Sequence, residues 1–248
     1  MKITLLQTNP QWRDAGQNID EAARLLDGAG STDVVLLPEM WATGFDTQPC
    51  DDTLRASRRA LEWMLLTARE RGVAIGGTLA VTDDADLTWR NRFYFVTPEG
   101  IAAHYDKCHL FTPAREDLLY RAGCGSKVVA WRGVRFKLQT CFDLRFPESG
   151  RNAAADAYDV LVYAASWPAS RRTAWDVLLR ARAVENQAYC AGVNRTGCDP
   201  VCTYNGGSAL VGPDGTVKGR LEGDAGARTF TIDTAETARL RAKFCTLG

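Results

Sequence analysis

Histidine is nearly absent from this chain. Of 248 residues only His104 and His109 carry an imidazole. A hydrolytic site must use one of these two or take its base from another side chain. Zinc is disfavoured for a related reason. Eight cysteines are present at 50, 108, 124, 141, 190, 198, 202 and 245, none in a C-x-x-C pair, whereas structural zinc wants clustered Cys and His. No metal is expected. Lys2 to Gln7 reads as a short strand and not as a signal peptide, so neither secretion nor a disulfide framework is expected. An excess of one charge is missing too: 30 Lys and Arg face 30 Asp and Glu. That balance gives no general case for nucleic acid or an anionic membrane as partner. No apolar run approaches membrane-spanning length. Linkers, low-complexity stretches and fixed-period repeats are lacking as well. The expectation is a cytoplasmic protein with one domain over residues 1–248.

What the chain does have is a mixture of strand and helix patterns. Ile3 to Gln7 is a first strand. Asn18 to Leu26 has helical spacing, with Ile19, Ala22, Ala23 and Leu26 on one face. Asp33-Val34-Val35-Leu36-Leu37 is continuously apolar, as in a strand covered on both faces. Leu54 to Arg71 reads as an amphipathic helix stopped by Gly72, and Val73 to Val81 returns as a strand. Arg92–Thr97 and Ile101–Tyr105 form a hairpin around Pro98-Glu99-Gly100. A loop runs from Thr112 to Ser126. Strands follow at Lys127–Trp131 and Val134–Thr140. After Cys141 the Pro147, Glu148 and Ala-rich run predicts a helix to about Ala157. Asp159–Ala164 is another buried-type strand, Thr173–Asn186 a helix and Ala188–Asn194 a strand. Ser208–Val211 and Thr216–Arg220 make a hairpin, Arg228–Ile232 a last strand and Thr234–Lys243 a last helix. The order predicts an α/β fold with helices outside sheets.

Three polar residues end apolar runs in the same manner. Glu39 ends one strand, Lys107 lies just past another, and Cys141 ends a third. Each has an ordinary reading. A strand often finishes on a charged residue entering solvent, and a free cysteine is usually a small buried hydrophobe. If the three strands share a rim, the chemistry is coherent. A carboxylate can take the proton of a thiol, and an ammonium can favour the thiolate and then an oxyanion. Helix-start N–H groups near Cys141 would also favour its thiolate. Such a site can cleave an amide or nitrile without histidine.

These segments resemble the nitrilase superfamily, the carbon–nitrogen hydrolases. The matching stretches are Leu36-Leu37-Pro38-Glu39, Tyr105-Asp106-Lys107-Cys108-His109-Leu110-Phe111 and Cys141-Phe142-Asp143-Leu144-Arg145-Phe146-Pro147-Glu148. Arg182 to Gln187 is similar to a fourth family segment. The resemblance runs from Lys2 to about Ile232. It implies a four-layer α-β-β-α sandwich, a homodimer pairing through helical faces, and no cofactor. It implies Glu39 as general base, Lys107 as oxyanion stabiliser, Cys141 as nucleophile and the Phe142 backbone N–H as second oxyanion donor. Phe142 stands where many relatives have Tyr. Glu116 best matches a further family glutamate that orients the lysine or the amide; its plain reading is a loop carboxylate.

Within the superfamily the sequence is most similar to the ω-amidases in their bacterial YafV-like form. Asn194-Arg195, Trp167-Pro168-Ala169 and Arg180 to Ala183 carry that likeness. It implies hydrolysis of the terminal amide of 2-oxoglutaramate or 2-oxosuccinamate. Such a substrate needs a cation near the nucleophile. Arg145 is the candidate, with ion pairing to Glu148 or Asp143 as its plain role, and Arg171 is a second. Trp41, Phe45 and Trp167 are candidate cavity walls. An N-carbamoyl amino acid hydrolase, a nitrilase and a non-catalytic binding or scaffold protein are the alternatives at this point.

Overall fold

The computed structural model describes residues 1–83 and 86–247. Strand β1 (Lys2–Gln7), helix α1 (Ala15–Asp27), strand β2 (Val34–Leu36), helix α2 (Asp51–Arg71) and strand β3 (Ala74–Thr82) begin the chain. Strands β4 (Trp89–Thr97) and β5 (Gly100–Asp106) follow as the expected hairpin. Strands β6 (Val128–Trp131) and β7 (Val134–Thr140) lead into short helix α3 (Pro147–Gly150) and strand β8 (Val160–Ala165). Helix α4 (Arg172–Asn186), strands β9 (Tyr189–Asn194), β10 (Thr196–Cys198), β11 (Thr203–Asn205), β12 (Ala209–Val211), β13 (Val217–Arg220) and β14 (Gly226–Thr231), and helix α5 (Thr234–Lys243) complete it. The β10–β11 hairpin has no counterpart in the sequence reading.

Two six-stranded sheets form, in the orders β14-β1-β2-β3-β4-β5 and β13-β12-β9-β8-β7-β6. Their stacking follows from the period of two along a strand. In β2, Val34 and Leu36 join a core between the sheets, whereas Val35, with Leu37 just beyond, faces α1 and α2. In β8, Val160, Val162 and Ala164 face the same central core, and Leu161, Tyr163 and Ala165 face α4. Both strands are thus covered on both faces, as their unbroken apolar sequences require. At Gly192 a Cβ would lie 2.7 Å from Leu179 and Trp175 atoms, so glycine lets α4 sit close to β9. The result is the expected α-β-β-α sandwich. No helix among the described residues is long and apolar enough to cross a membrane.

One expected element is corrected. The helix expected after Cys141, opening at Pro147 and running to about Ala157, does not form as one element. Residues Cys141–Arg145 make a 3₁₀ turn, α3 lasts four residues, and Ala154–Asp156 is a separate 3₁₀ turn. Pro147 holds Phe146 in an extended conformation and so separates the first turn from α3. Beyond Gly150, buried Asn152 leaves the helical path to bond the Asn186 side chain and backbone and the Tyr158 backbone.

Strand direction decides where the polar ends meet. β1, β2 and β3 are parallel, and β4 is antiparallel to β3. β5 is antiparallel to β4, so its carboxyl end lies at the same edge as that of β2. In the second sheet β7, β8 and β9 are parallel. Ser166, just past β8, donates to Glu39, just past β2, so the two rims face each other at one end of the sandwich.

Candidate active site

Glu39 is placed by the chain on either side of it. Leu37 donates to the Gly76 carbonyl, and the Met40 N–H donates 2.8 Å to Thr78 Oγ1. The carboxylate is wholly buried, and both oxygens accept hydrogen bonds. Oε1 accepts from Lys107 Nζ and from Asn91 Nδ2, both at 2.8 Å. Oε2 accepts from the Ser166 N–H at 2.9 Å. Ser166 Oγ donates to the Glu39 carbonyl at 3.1 Å.

Lys107 follows β5, and its side chain has no exposure to solvent. Its ammonium donates 2.8 Å to Glu39 Oε1 and 2.8 Å to Glu116 Oε2. A third N–H is left without a hydrogen-bond partner among the described residues, and the nitrogen lies 5.2 Å from the Phe45 ring centroid. Burial pulls the lysine pKa down, but Glu116 and Glu39 outweigh it, and the net value is raised. The group is therefore a permanent cation at neutral pH.

Glu116 starts a 3₁₀ turn in the loop after β5. Besides Lys107 it accepts from Asn91 Nδ2 at 2.9 Å and from the Phe111 N–H at 2.6 Å. Burial raises its pKa, with the Lys107 charge opposing. The loop glutamate is thus part of the buried cluster. Asn91, on β4, bridges both carboxylates, and sequence reasoning missed it. Only its position near the start of β4, at the rim where β5 ends, marks it.

Cys141 sits between β7 and the 3₁₀ turn with φ +41°, a left-handed conformation that costs a non-glycine residue of order 1 kcal/mol or more. Held there by its surroundings, the side chain faces a cavity while its backbone leaves the sheet. The thiol pKa is raised: burial acts most strongly, the Glu39 carboxylate adds to it, and Lys107 opposes. Lys107 favours the thiolate, as expected, but burial and Glu39 outweigh it. The resting group is a thiol beside a carboxylate that can accept its proton. Phe142 follows in the first turn, where N–H groups lack partners within the turn.

A cavity of about 390 Å³ opens over Cys141. Phe45, Phe142, Arg145, Trp167 and Arg171 line it, as does Ser166, while Glu39, Lys107 and Glu116 lie beneath its wall. Arg145 makes no ion pair with Glu148 or Asp143; its guanidinium carbon lies 5.1 Å from the Trp167 ring centroid. Arg171 lies 5.0 Å from the Phe111 ring centroid, and its carbonyl accepts from Trp167 Nε1 at 2.9 Å. Neither arginine has a carboxylate partner among the described residues. Trp41 is not a cavity wall. The turn at Met40, with φ +44°, sends it to the helix side, where it is fully buried 5.4 Å from the Trp63 ring.

The arrangement can do one kind of chemistry well. A carboxylate next to a thiol can shuttle its proton, and a fixed ammonium with a spare N–H can hold a developing oxyanion.

The carbon–nitrogen hydrolase family profile matches residues 2–242. Omega-amidase YafV of Escherichia coli (strain K12) is 41% identical over 218 residues, which is 88% of this chain and 83% of that protein. The 2-oxoglutaramate amidase of Bacillus subtilis (strain 168) is 34% identical over 243 residues, covering 96% of this chain and 93% of that one. Among solved structures, XC1258 from Xanthomonas campestris, a CN-hydrolase superfamily protein with an arsenic adduct in the active site, superposes with a TM-score of 0.93. It is 35% identical, covering 98% of this chain and 94% of that chain.

Proposed function

The chain belongs to the carbon–nitrogen hydrolase family, and from that premise we propose that it is an ω-amidase. It hydrolyses the terminal amide of 2-oxoglutaramate or 2-oxosuccinamate to the 2-oxo diacid and ammonia; the similar omega-amidase and 2-oxoglutaramate amidase support the first of these substrates. The observation that carries this reading is a thiol backed by a buried Glu–Lys–Glu cluster, opening into a cavity where Arg145 and Arg171 have no carboxylate partner among the described residues.

In this proposal Glu39 takes the S–H proton as the Cys141 sulfur bonds to the amide carbon. The tetrahedral oxyanion is held by Lys107 and the Phe142 N–H. Glu39 returns the proton to the leaving nitrogen, the C–N bond breaks and ammonia departs. Glu39 then deprotonates water, which attacks the thioester, and the Cys141 sulfur leaves with the proton. Glu116 keeps Lys107 in place. Arg145 and Arg171 receive the 2-oxo carboxylate, and guanidinium suits that task because it can donate two parallel bonds. Phe45 and Trp167 wall the acyl chain.

Ammonia release from both amides, by wild type and by Cys141→Ala, tests the reading. Activity lost in the variant supports it, and the ratio of the two rates measures acyl-chain preference. A folded wild type silent on both amides overturns it. We propose further a cytoplasmic homodimer paired through helical faces. Val177 and Val184, 59% and 51% exposed on α4, support that pairing, and light scattering checks the mass.

A further inference from the structure

Lys107 and Cys141 come from different sheets, and one buried carboxylate is bonded to the chain on both sides of that gap. Asp143 has no exposure to solvent and stands two residues after Cys141. Its Oδ2 accepts from the Thr140 N–H at 3.0 Å, immediately before Cys141. The same oxygen accepts from the Tyr105 hydroxyl at 2.8 Å, two residues before Lys107. Its Oδ1 accepts from the His109 N–H at 2.9 Å and lies 2.8 Å from His109 Nδ1, two residues after Lys107. Tyr105 Oη in turn accepts from the Cys108 N–H at 3.3 Å. The His109 ring is stacked on Phe146, 3.7 Å between centroids and 8° from parallel, and its Nδ1 also lies 3.2 Å from Ser149 Oγ.

From this network we infer that Asp143 and His109 are positioning residues that set the separation between the Lys107 ammonium and the Cys141 sulfur. The argument is geometric. Tyr105 and His109, two residues before and after Lys107, and Thr140, just before Cys141, all bond to one side chain. Its two oxygens carry four contacts, so it cannot shift toward one segment without stretching bonds to the other. Cys141 is held at φ +41°, which needs a surrounding that over-determines it, and the Asp143–Thr140 bond supplies part of that. Neither residue lines the cavity. Their effect is on the oxyanion and the proton transfer, where misplacement by about 1 Å costs on the order of 100-fold.

The inference rests on the proposed roles of Lys107 and Cys141, so its test uses two readouts. His109→Ala removes the ring and keeps the backbone N–H bond. His109→Asn can return a side-chain N–H near the position of Nδ1 while still lacking the Phe146 stack. On 2-oxoglutaramate, His109→Ala is expected to lower kcat on the order of 10- to 100-fold with KM within about twofold, and His109→Asn to recover most of the loss. Asp143→Asn, with donors facing donors, is expected to fall at least as far. The second readout needs no substrate. Alkylation of Cys141 by acrylamide, followed by mass spectrometry, is expected to slow in His109→Ala and recover in His109→Asn, with exposed Cys124 unchanged in all. A wild type silent on the amide sinks the substrate reading alone, and the alkylation series then decides. Equal behaviour of His109→Ala and His109→Asn in both readouts, or a change in KM with kcat unaltered, overturns the inference.

Discussion

The Lys107 ammonium lies 2.8 Å from Glu39 Oε1, and neither side chain has any exposure to solvent. Glu116 makes the second half of the same buried cluster, also at 2.8 Å. Two acids thus share one cation, and the two kinds of deletion differ. Glu39→Gln leaves Lys107 paired with Glu116. Lys107→Met leaves two buried carboxylates with no cation between them, a loss in the range of about 3–5 kcal/mol. Glutamine turns its own amide donor toward one of the three donors that Glu39 accepts from, so urea unfolding should place Glu39→Gln moderately below wild type and Lys107→Met far below both. Ammonia release should fall about 1,000-fold or more in both, because each removes a group that the proposed reaction uses. Equal destabilisation by the two variants would count against the shared-cation account.

Cys141 supplies a pH dependence with a definite sign. Its folded pKa is raised above the ordinary value of 9.0, chiefly by burial and then by Glu39. A raised folded pKa gives stability that is whole below the unfolded pKa and is lost as pH rises above it. Between pH 9 and pH 10 the unfolded chain carries from about half to about nine-tenths of a negative charge at this site, and the folded chain stays protonated. Wild type should lose about 1 kcal/mol more than Cys141→Ala over that interval. Urea melts of both proteins at the two pH values measure it. Parallel losses would show that the folded thiol ionises with the unfolded one.

In the proposed reaction Arg145 receives the substrate carboxylate and takes no part in bond cleavage. Its guanidinium faces the cavity over Trp167 and has no carboxylate partner among the described residues. A charge-assisted bond to substrate contributes about 1.5–3 kcal/mol, so Arg145→Gln should lower kcat/KM for 2-oxoglutaramate roughly 10- to 100-fold. Most of that should appear in KM. An uncharged short amide should be turned over equally by both proteins. If the neutral amide suffers as much, Arg145 supports the fold of the site and not the substrate carboxylate.

Cys50 is the thiol that should stand out toward a general alkylating agent. It is exposed at the start of α2, and its pKa is lowered, first by the Thr53 N–H and then by the Thr53 hydroxyl and the Asp52 N–H. A thiolate at a helix N-terminus reacts faster than an unperturbed thiol at neutral pH. Iodoacetamide at pH 7 should therefore modify Cys50 ahead of Cys124, Cys198 and Cys245, as peptide mapping over time would record.

What the sequence made legible was decided by local forces. α5 spans Thr234–Lys243 as its pattern indicates, and β2 is buried on both faces as an unbroken apolar run must be. Glu39, Lys107 and Cys141 could be found because each ends such a run at a strand's carboxyl end. The region after Pro147 misled because Ala-rich sequence favours helix locally, whereas Asn152 is drawn off by long-range bonds to Asn186. Trp41 misled for a similar reason: one left-handed residue before it reverses the face it occupies. Asn91 was marked only by its place near a strand start, and nothing linked Asp143 to the segment around Lys107. Periodicity says which residues face a core, but not which polar side chain will meet another 52 residues away in sequence.

Asn91 is therefore the residue on which the cluster can be tested most directly. Its Nδ2 supplies one N–H to Glu39 Oε1 and one to Glu116 Oε1, at 2.8 and 2.9 Å. Its Oδ1 has no partner among the described residues. Asn91→Ala removes two donors to buried carboxylates and should cost about 1–3 kcal/mol. Asn91→Asp is close in shape but replaces the donors with a third acid facing two others. At neutral pH it should be the less stable of the two variants. The introduced carboxyl is buried beside like charge, so its folded pKa is raised, and its stabilising protonated form is lost as pH rises. Asn91→Asp should thus gain on Asn91→Ala as pH falls from 8 toward 5, since a protonated carboxyl again offers a donor. Urea melts of both variants across that range give the answer. A gap between them that stays constant with pH would mean that the site at 91 is open to water, and that Asn91 does not bridge the two glutamates in solution.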